Sequence, residues 1–211
     1  MTAQISDIYK FQNQEFTLVA LSSVMPFDPE SFGLEPHSSL TACWRGYWCE
    51  YTIATDALLL ENLYLFNSNN NYPPLNGIKV SPPEFVERVC YSSSENRYVT
   101  VTELAHFGHR VYKDINMPIP YTGKILLGGG FLHEYYIHMG HQKSWAYQKL
   151  IELVFENGLL LKHNDLSHIS KAQRETIKNK GFNPWYPSFR NASLFSDESF
   201  PPDYANKAWW L

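Results

Sequence analysis

The sequence predicts an α+β fold, predominantly antiparallel β built from hairpins, with one C-terminal helix over about 167–180 and a long aromatic-rich irregular tail. Three observations carry that prediction. Aromatic residues make up 16% of the chain and charged residues only 18%, a balance that favours sheet over a charged helix bundle. Apolar runs of strand length alternate with turn residues along most of the chain. Only one segment combines a helical apolar stripe with a start signal and a stop signal.

The densest stretch runs from Thr41 to Phe66. Its first arm sets Ala42, Trp44, Gly46 and Trp48 against Cys43, Arg45, Tyr47, Cys49, Tyr51 and Ile53, because strand side chains alternate. Its second arm sets Leu58, Leu60, Tyr64 and Phe66 against Leu59, Leu63 and Leu65. Both faces carry large side chains, so the pair is expected to be covered on both sides and central to the sheet. Ala54 to Ala57 forms the polar link. Before it, Phe16–Leu21 reads as an opening strand. Pro26, Pro29, Gly33 and Pro36 then mark a loop that holds Asp28, Glu30 and Glu35.

Beyond the hairpin, Asn67–Asn71 and Tyr72-Pro73-Pro74 read as turns, and Gly77–Val80 as a short strand. Pro83-Glu84 with Phe85, Val86 and Val89 suggests one or two helical turns, since proline suits a first helical position. Tyr98–Thr102 alternates as a strand, and Val111, Tyr112 and Ile115 extend another toward Met117–Pro120. Lys124–Leu127 is a strand that Gly128-Gly129-Gly130 is expected to break before Phe131–Met139 resumes it. Leu150–Phe155 and Leu159–Lys162 flank Asn157-Gly158, whose tolerance of positive φ predicts a tight primed turn.

The helix over about 167–180 has Asp165 or Ser167 as its cap, Gly181 as its stop and Ile169, Ala172, Thr176 and Ile177 as a narrow apolar stripe. Residues 1–181 form a single mostly-β domain. Residues 182–211 form a tail rich in Pro and aromatic residues, expected to pack on that domain because disordered tails are poor in rings.

The formal net charge of -4 argues against a general nucleic-acid binder, which needs a basic stripe, and suits a neutral or basic partner. Cys43, Cys49 and Cys90 lack metal or redox spacing and read as small buried hydrophobes. The first residues carry no basic and apolar leader pattern, and no apolar run reaches membrane-spanning length, so a soluble cytoplasmic protein is expected.

Catalytic signatures are weak. His106, His109, His133, Glu134, His138 and His141 cluster in sequence, but His133 and His138 are five apart. That is one more than the step that puts two imidazoles on one helical face, and on a strand the two point to opposite faces. The triple glycine lacks the residues of a phosphate loop, and no nucleophile elbow occurs. Glu50, Glu61 and Glu134 are strand carboxylates without an evident partner. Arg45, set among rings, reads as a buried fork with stacking and a carboxylate partner, with the anchor of a recognition surface as the alternative. Trp44, Tyr47 and Trp48 are possible stacking platforms, against which the net charge weighs.

An acidic chain with exposed rings and no catalytic signature leads to a binding protein of the bacterial immunity type. Such a protein is not an enzyme, needs no cofactor or metal, and covers a toxin that is expected to be basic, possibly a nuclease. Asp28, Glu30 and Glu35 with Asp197, Glu198 and Asp203 are the expected partner-facing carboxylates, charge for steering and rings for anchoring. The alternative is a metal-dependent hydrolase using the His-rich region 106–141.

Overall fold

The computed structural model describes residues 2–138 and 140–179. Its strands are β1 (Ile8–Phe11), β2 (Gln14–Leu21), β3 (Tyr47–Ala54), β4 (Ala57–Leu65), β5 (Phe85–Ser92), β6 (Arg97–Leu104), β7 (Arg110–Tyr112), β8 (Met117–Pro118), β9 (Gly123–Phe131), β10 (Tyr147–Glu156) and β11 (Leu159–Asp165), followed by helix α1 (Ser167–Asn179). The protein is mostly β with one helix near its C-terminus, as expected. What the alternation pattern did not contain is closure. Strands pair in the order β11-β10-β9-β2-β1-β3-β4, and β11 meets β4 at Leu159 and Ala57 to complete a barrel.

Every pairing around the barrel is antiparallel except β1 with β3, which is parallel. The free edge of β4 is covered piecemeal, by β7 at Leu63–Leu65, by β8 at Leu59 and Leu60, and by β11 at Ala57. The hairpin of β3 and β4 is therefore central to the sheet, as its two-sided pattern predicts.

A β-bulge corrects the expected faces of that hairpin. Tyr51 lies opposite Leu60 and Glu50 opposite Asn62, so Glu61 is the extra residue on β4. The extra residue flips the alternation. Leu58, Leu60, Leu63 and Leu65 all point into the barrel with Tyr47, Cys49 and Tyr51, while Trp48 and Tyr64 stack outside it. Each inward leucine contributes about 1.5–3 kcal/mol of burial. The connecting turn is also tighter than expected, with only Thr55 (φ 49°) and Asp56 (φ 62°) between the arms.

The triple glycine does not break a strand; β9 runs through it. A Cβ on Gly128 would sit 2.4 Å from the Tyr147 ring, and one on Gly129 would sit 2.9 Å from the Phe16 ring. The two glycines let rings from the neighbouring strands lie flat on the sheet, a use of glycine for close approach. The expected strand over Phe131–Met139 is replaced by a short helical turn at His133–Tyr135. The expected strand Gly77–Val80 reduces to a single bridge between Leu75 and Ile78.

The turn at Asn157 (φ 49°) and Gly158 (φ 82°) forms as predicted. Helix α1 begins where Asp165 Oδ1 accepts the Ser167 N–H at 2.8 Å. It lies on the outside of the barrel by part of the predicted stripe, with Ile177 in the apolar cluster there and Ile169 half-buried. Ser170 and Ile177 are buried, whereas Ala172 and Thr176 are exposed. Arg174 Nη1 and the Ser170 hydroxyl both donate to the Tyr147 carbonyl, at 2.6 and 2.7 Å, so polar latches join Ile177 in holding the helix. The tail from 182 onward lies outside the described residues.

Candidate interaction surface

Among the described residues, strands β5 and β6 pair with each other and with no other strand. They form a ribbon that leaves the barrel between Ser81 and Arg110. Pro83 does not start a helix there, because the residues that follow alternate along eight paired positions, from Phe85 opposite Leu104 to Ser92 opposite Arg97. One face carries Phe85, Val89 and Tyr91 from β5 with Tyr98 and Leu104 from β6. All five are exposed, Tyr98 to 73% and Phe85 and Val89 to 66% each. The opposite face carries Val86 and Val101, also exposed, and the surface ion pair of Arg88 with Glu103.

The root of the ribbon is held firmly. The Ser81 N–H donates to the Val111 carbonyl at 2.7 Å, and the Ala105 N–H donates to the Glu84 carbonyl at 2.9 Å. The Arg110 guanidinium donates through Nε and Nη2 to the Ser81 carbonyl and lies over the Tyr72 ring. The Glu84 carboxylate is gripped by Lys113 and lies 3.5 Å from His106. The Lys113 hydrogen bond, aided by His106, holds the Glu84 carboxyl below its usual range. Beyond β6, His106 and Phe107 both adopt left-handed φ, 52° and 57°, and Phe107 projects beside the ribbon, 71% exposed.

A ribbon of two strands is marginal in water unless a third element covers it. Monomers rarely leave such a run of large apolar side chains uncovered, and those that do mark interaction sites. Pro83 conceals this surface in the sequence, because a proline there suits a first helical position. The findable signal was the alternation of residues 85–91 and 98–104 about the polar turn Ser93–Asn96.

The predicted carboxylates are placed less decisively. Asp28 is committed to its own loop: its oxygens accept the Glu30 N–H at 3.1 Å and the Ser31 hydroxyl at 2.7 Å, capping a short helical turn at Pro29–Phe32. Glu35 accepts the Ser68 hydroxyl at 3.2 Å. Glu30 is exposed. Asp197, Glu198 and Asp203 lie outside the described residues.

The histidines of residues 106–141 do not converge. His106 faces Glu84 at the ribbon root. His109 is buried against Trp48 and Phe66, and burial lowers its pKa. His133 packs on Phe131, and His141 is buried with its Nδ1 3.1 Å from the Ser6 hydroxyl. Among the described residues no group of three or more His, Cys, Asp or Glu is arranged to hold a metal. Glu50 accepts from Asn62 and Tyr64, and Glu61 pairs with Lys10. Trp48 is buried under Tyr64 and Tyr47 lies in the core, so they offer no stacking platform beside Trp44.

Arg45 has the structural role that its setting suggested. It forks onto the buried Asp7 carboxylate and lies over the Tyr47 ring, 4.8 Å from the centroid. The three cysteines are free. Cys49 faces the core while Cys43 packs outside, so the two do not share a face.

The fold and surface thus define a class, a mixed β-barrel with a helix on one flank and an apolar ribbon projecting from it. No family model matches the chain, and neither a curated protein nor a solved structure similar to it was found. Among the described residues no helix is long and apolar enough to cross a membrane.

Proposed function

We propose that this protein is a non-enzymatic protein-binding protein that engages its partner through the β5–β6 ribbon, and that the partner is a basic toxin domain which it neutralises. The observation that carries the reading is the face formed by Phe85, Val89, Tyr91, Tyr98 and Leu104, exposed on a ribbon whose two edges have no strand partner among the described residues. Burying five such side chains is worth on the order of 10 kcal/mol, against an association cost of roughly 4–15 kcal/mol. A specific complex therefore needs most of the ribbon. Its free edges offer backbone groups for strand addition, and its rings supply the anchors that dominate interface energetics. The net charge of -4 and exposed carboxylates such as Glu30 fit a basic partner approached under electrostatic steering.

The test is co-expression with the product of the neighbouring open reading frame, followed by growth rescue and titration of the two purified proteins. A complex that weakens at least about a hundredfold, roughly 3 kcal/mol, on joint Phe85→Ser and Tyr98→Ser substitution supports the reading. A complex indifferent to both substitutions rejects the ribbon as the contact.

A further inference from the structure

A cleft of about 700 Å³ opens at the end of the barrel where the turns at Gln12-Asn13 and Thr55-Asp56 lie. Strand β11 pairs with β4 only at Leu159, so from Leu160 onward its outer edge overhangs this cleft without a strand partner among the described residues. The lining divides by chemistry. Phe11, Ile53 and Leu160, which belong to the barrel core or pack against it, supply apolar surface. Glu15, Asp56 and His163 stand exposed around it, with the His163 ring edge-on to Phe11 at 5.3 Å.

The charges in this space do not cancel. Lys10 is the one lysine in the lining, and its ammonium is tied to Glu61 at 3.0 Å. Glu61, Glu50 and Glu15 together hold Lys10 above its usual pKa. Lys149, nearby, spends a hydrogen bond on the Gln14 amide oxygen at 2.9 Å. Glu15 and Asp56 make no side-chain hydrogen bond among the described residues. The result is an excess of carboxylate over ammonium beside an apolar surface, with Asp56 facing no cation of the lining and Glu15 opposite a Lys10 already paired with Glu61, in the mouth of a barrel, where ligand sites recur.

We propose that this cleft binds a cationic group carried on a short apolar stem, an alkylguanidinium or alkylammonium. The stem lies along Phe11, Ile53 and Leu160, and the cation meets Glu15 and Asp56. Anions are rejected by the same two carboxylates. The cation can come from a free amine or from an arginine side chain of a polypeptide. The site is distant in sequence from the ribbon and does not depend on the reading given to it.

The experiment is an amide NMR titration of the full chain with agmatine, with butyramide as the neutral probe, butyrate as the anionic probe and an end-blocked tripeptide with central arginine as the polypeptide source. Saturable shifts at Gln12, Asn13, Thr55 and Asp56 with agmatine, absent with butyramide and butyrate, are expected. Joint Glu15→Gln and Asp56→Asn substitution weakens agmatine at least tenfold; both side chains are exposed, so the native spectrum is retained. Tighter binding of the tripeptide than of agmatine assigns the site to a polypeptide, and the reverse assigns it to a free amine. The proposal is overturned if agmatine gives no saturable shift, if butyramide binds equally well, or if the double variant binds agmatine unchanged.

Discussion

The Arg45 guanidinium meets both oxygens of the Asp7 carboxylate, Nη2 to Oδ1 at 2.7 Å and Nη1 to Oδ2 at 3.4 Å, and Asp7 has no exposed surface. Asp7 Oδ1 also accepts the Cys49 N–H at 2.9 Å, and its backbone carbonyl accepts the Leu18 N–H, likewise at 2.9 Å. Asp7 therefore ties three elements together, its carboxylate joining the loop before β3 to β3 and its backbone carbonyl holding β2. Although burial opposes its charge, Arg45 is held above its ordinary pKa by Asp7. Removing one partner strands the other charge in the interior. Asp7→Ala is expected to cost about 3–5 kcal/mol by urea denaturation, and joint replacement of Asp7 and Arg45 by apolar residues much less than the sum. Arg45→Lys keeps the charge but loses the fork, so it should not restore stability.

His141 sets an acid limit on stability. Burial first, then the nearby charges of Arg45 and Lys143, lower its pKa to about 3. It is neutral in the folded chain, while the unfolded chain takes up a proton below about pH 6.5. Stability from this group is thus complete above about pH 6.5 and falls as the pH drops toward 3, by at most about 1.4 kcal/mol per pH unit. His141→Gln should flatten denaturation midpoints across that range. An unchanged acid slope would place the sensitivity elsewhere.

Close packing at Gly128 gives a third expectation. Its absent Cβ leaves room for the Tyr147 ring, which would otherwise be met at 2.4 Å. Gly128→Ala should destabilise by about 1–3 kcal/mol. The loss should shrink when Tyr147 is shortened to leucine, a coupling that a double-mutant cycle measures directly.

These relationships divide the molecule into what local pattern contains and what it does not. Asn157-Gly158 between apolar runs and Asp165 ahead of the helix are local signals, and both elements stand where the pattern put them. Residues 41–66 were recognisable as the centre of the sheet for the same reason. Closure of the barrel was not legible, because alternation says which face is buried and not which strand lies alongside. The four residues of β1 are too few to show a period, yet they make the one parallel pairing of the barrel. Glu61 adds a single residue to β4 and reverses every face after it. Glycines that read as a break are glycines that rings press upon. At the candidate site, Arg45 announced its structural role by its neighbours, whereas the ribbon was hidden by one proline and the histidines were neighbours only in sequence.

The most direct test of the ribbon's role is to excise it. Glu84 and Ala105 are already joined by a backbone hydrogen bond of 2.9 Å, so residues 85–104 can be replaced by Asn-Gly, which closes a two-residue turn. The ribbon pairs with no strand of the barrel, so the shortened chain should keep the thermal midpoint of the parent within a few degrees. Titration with the partner proposed above should then show no binding. A shortened chain that stays folded and binds that partner with the parent's affinity would contradict the account.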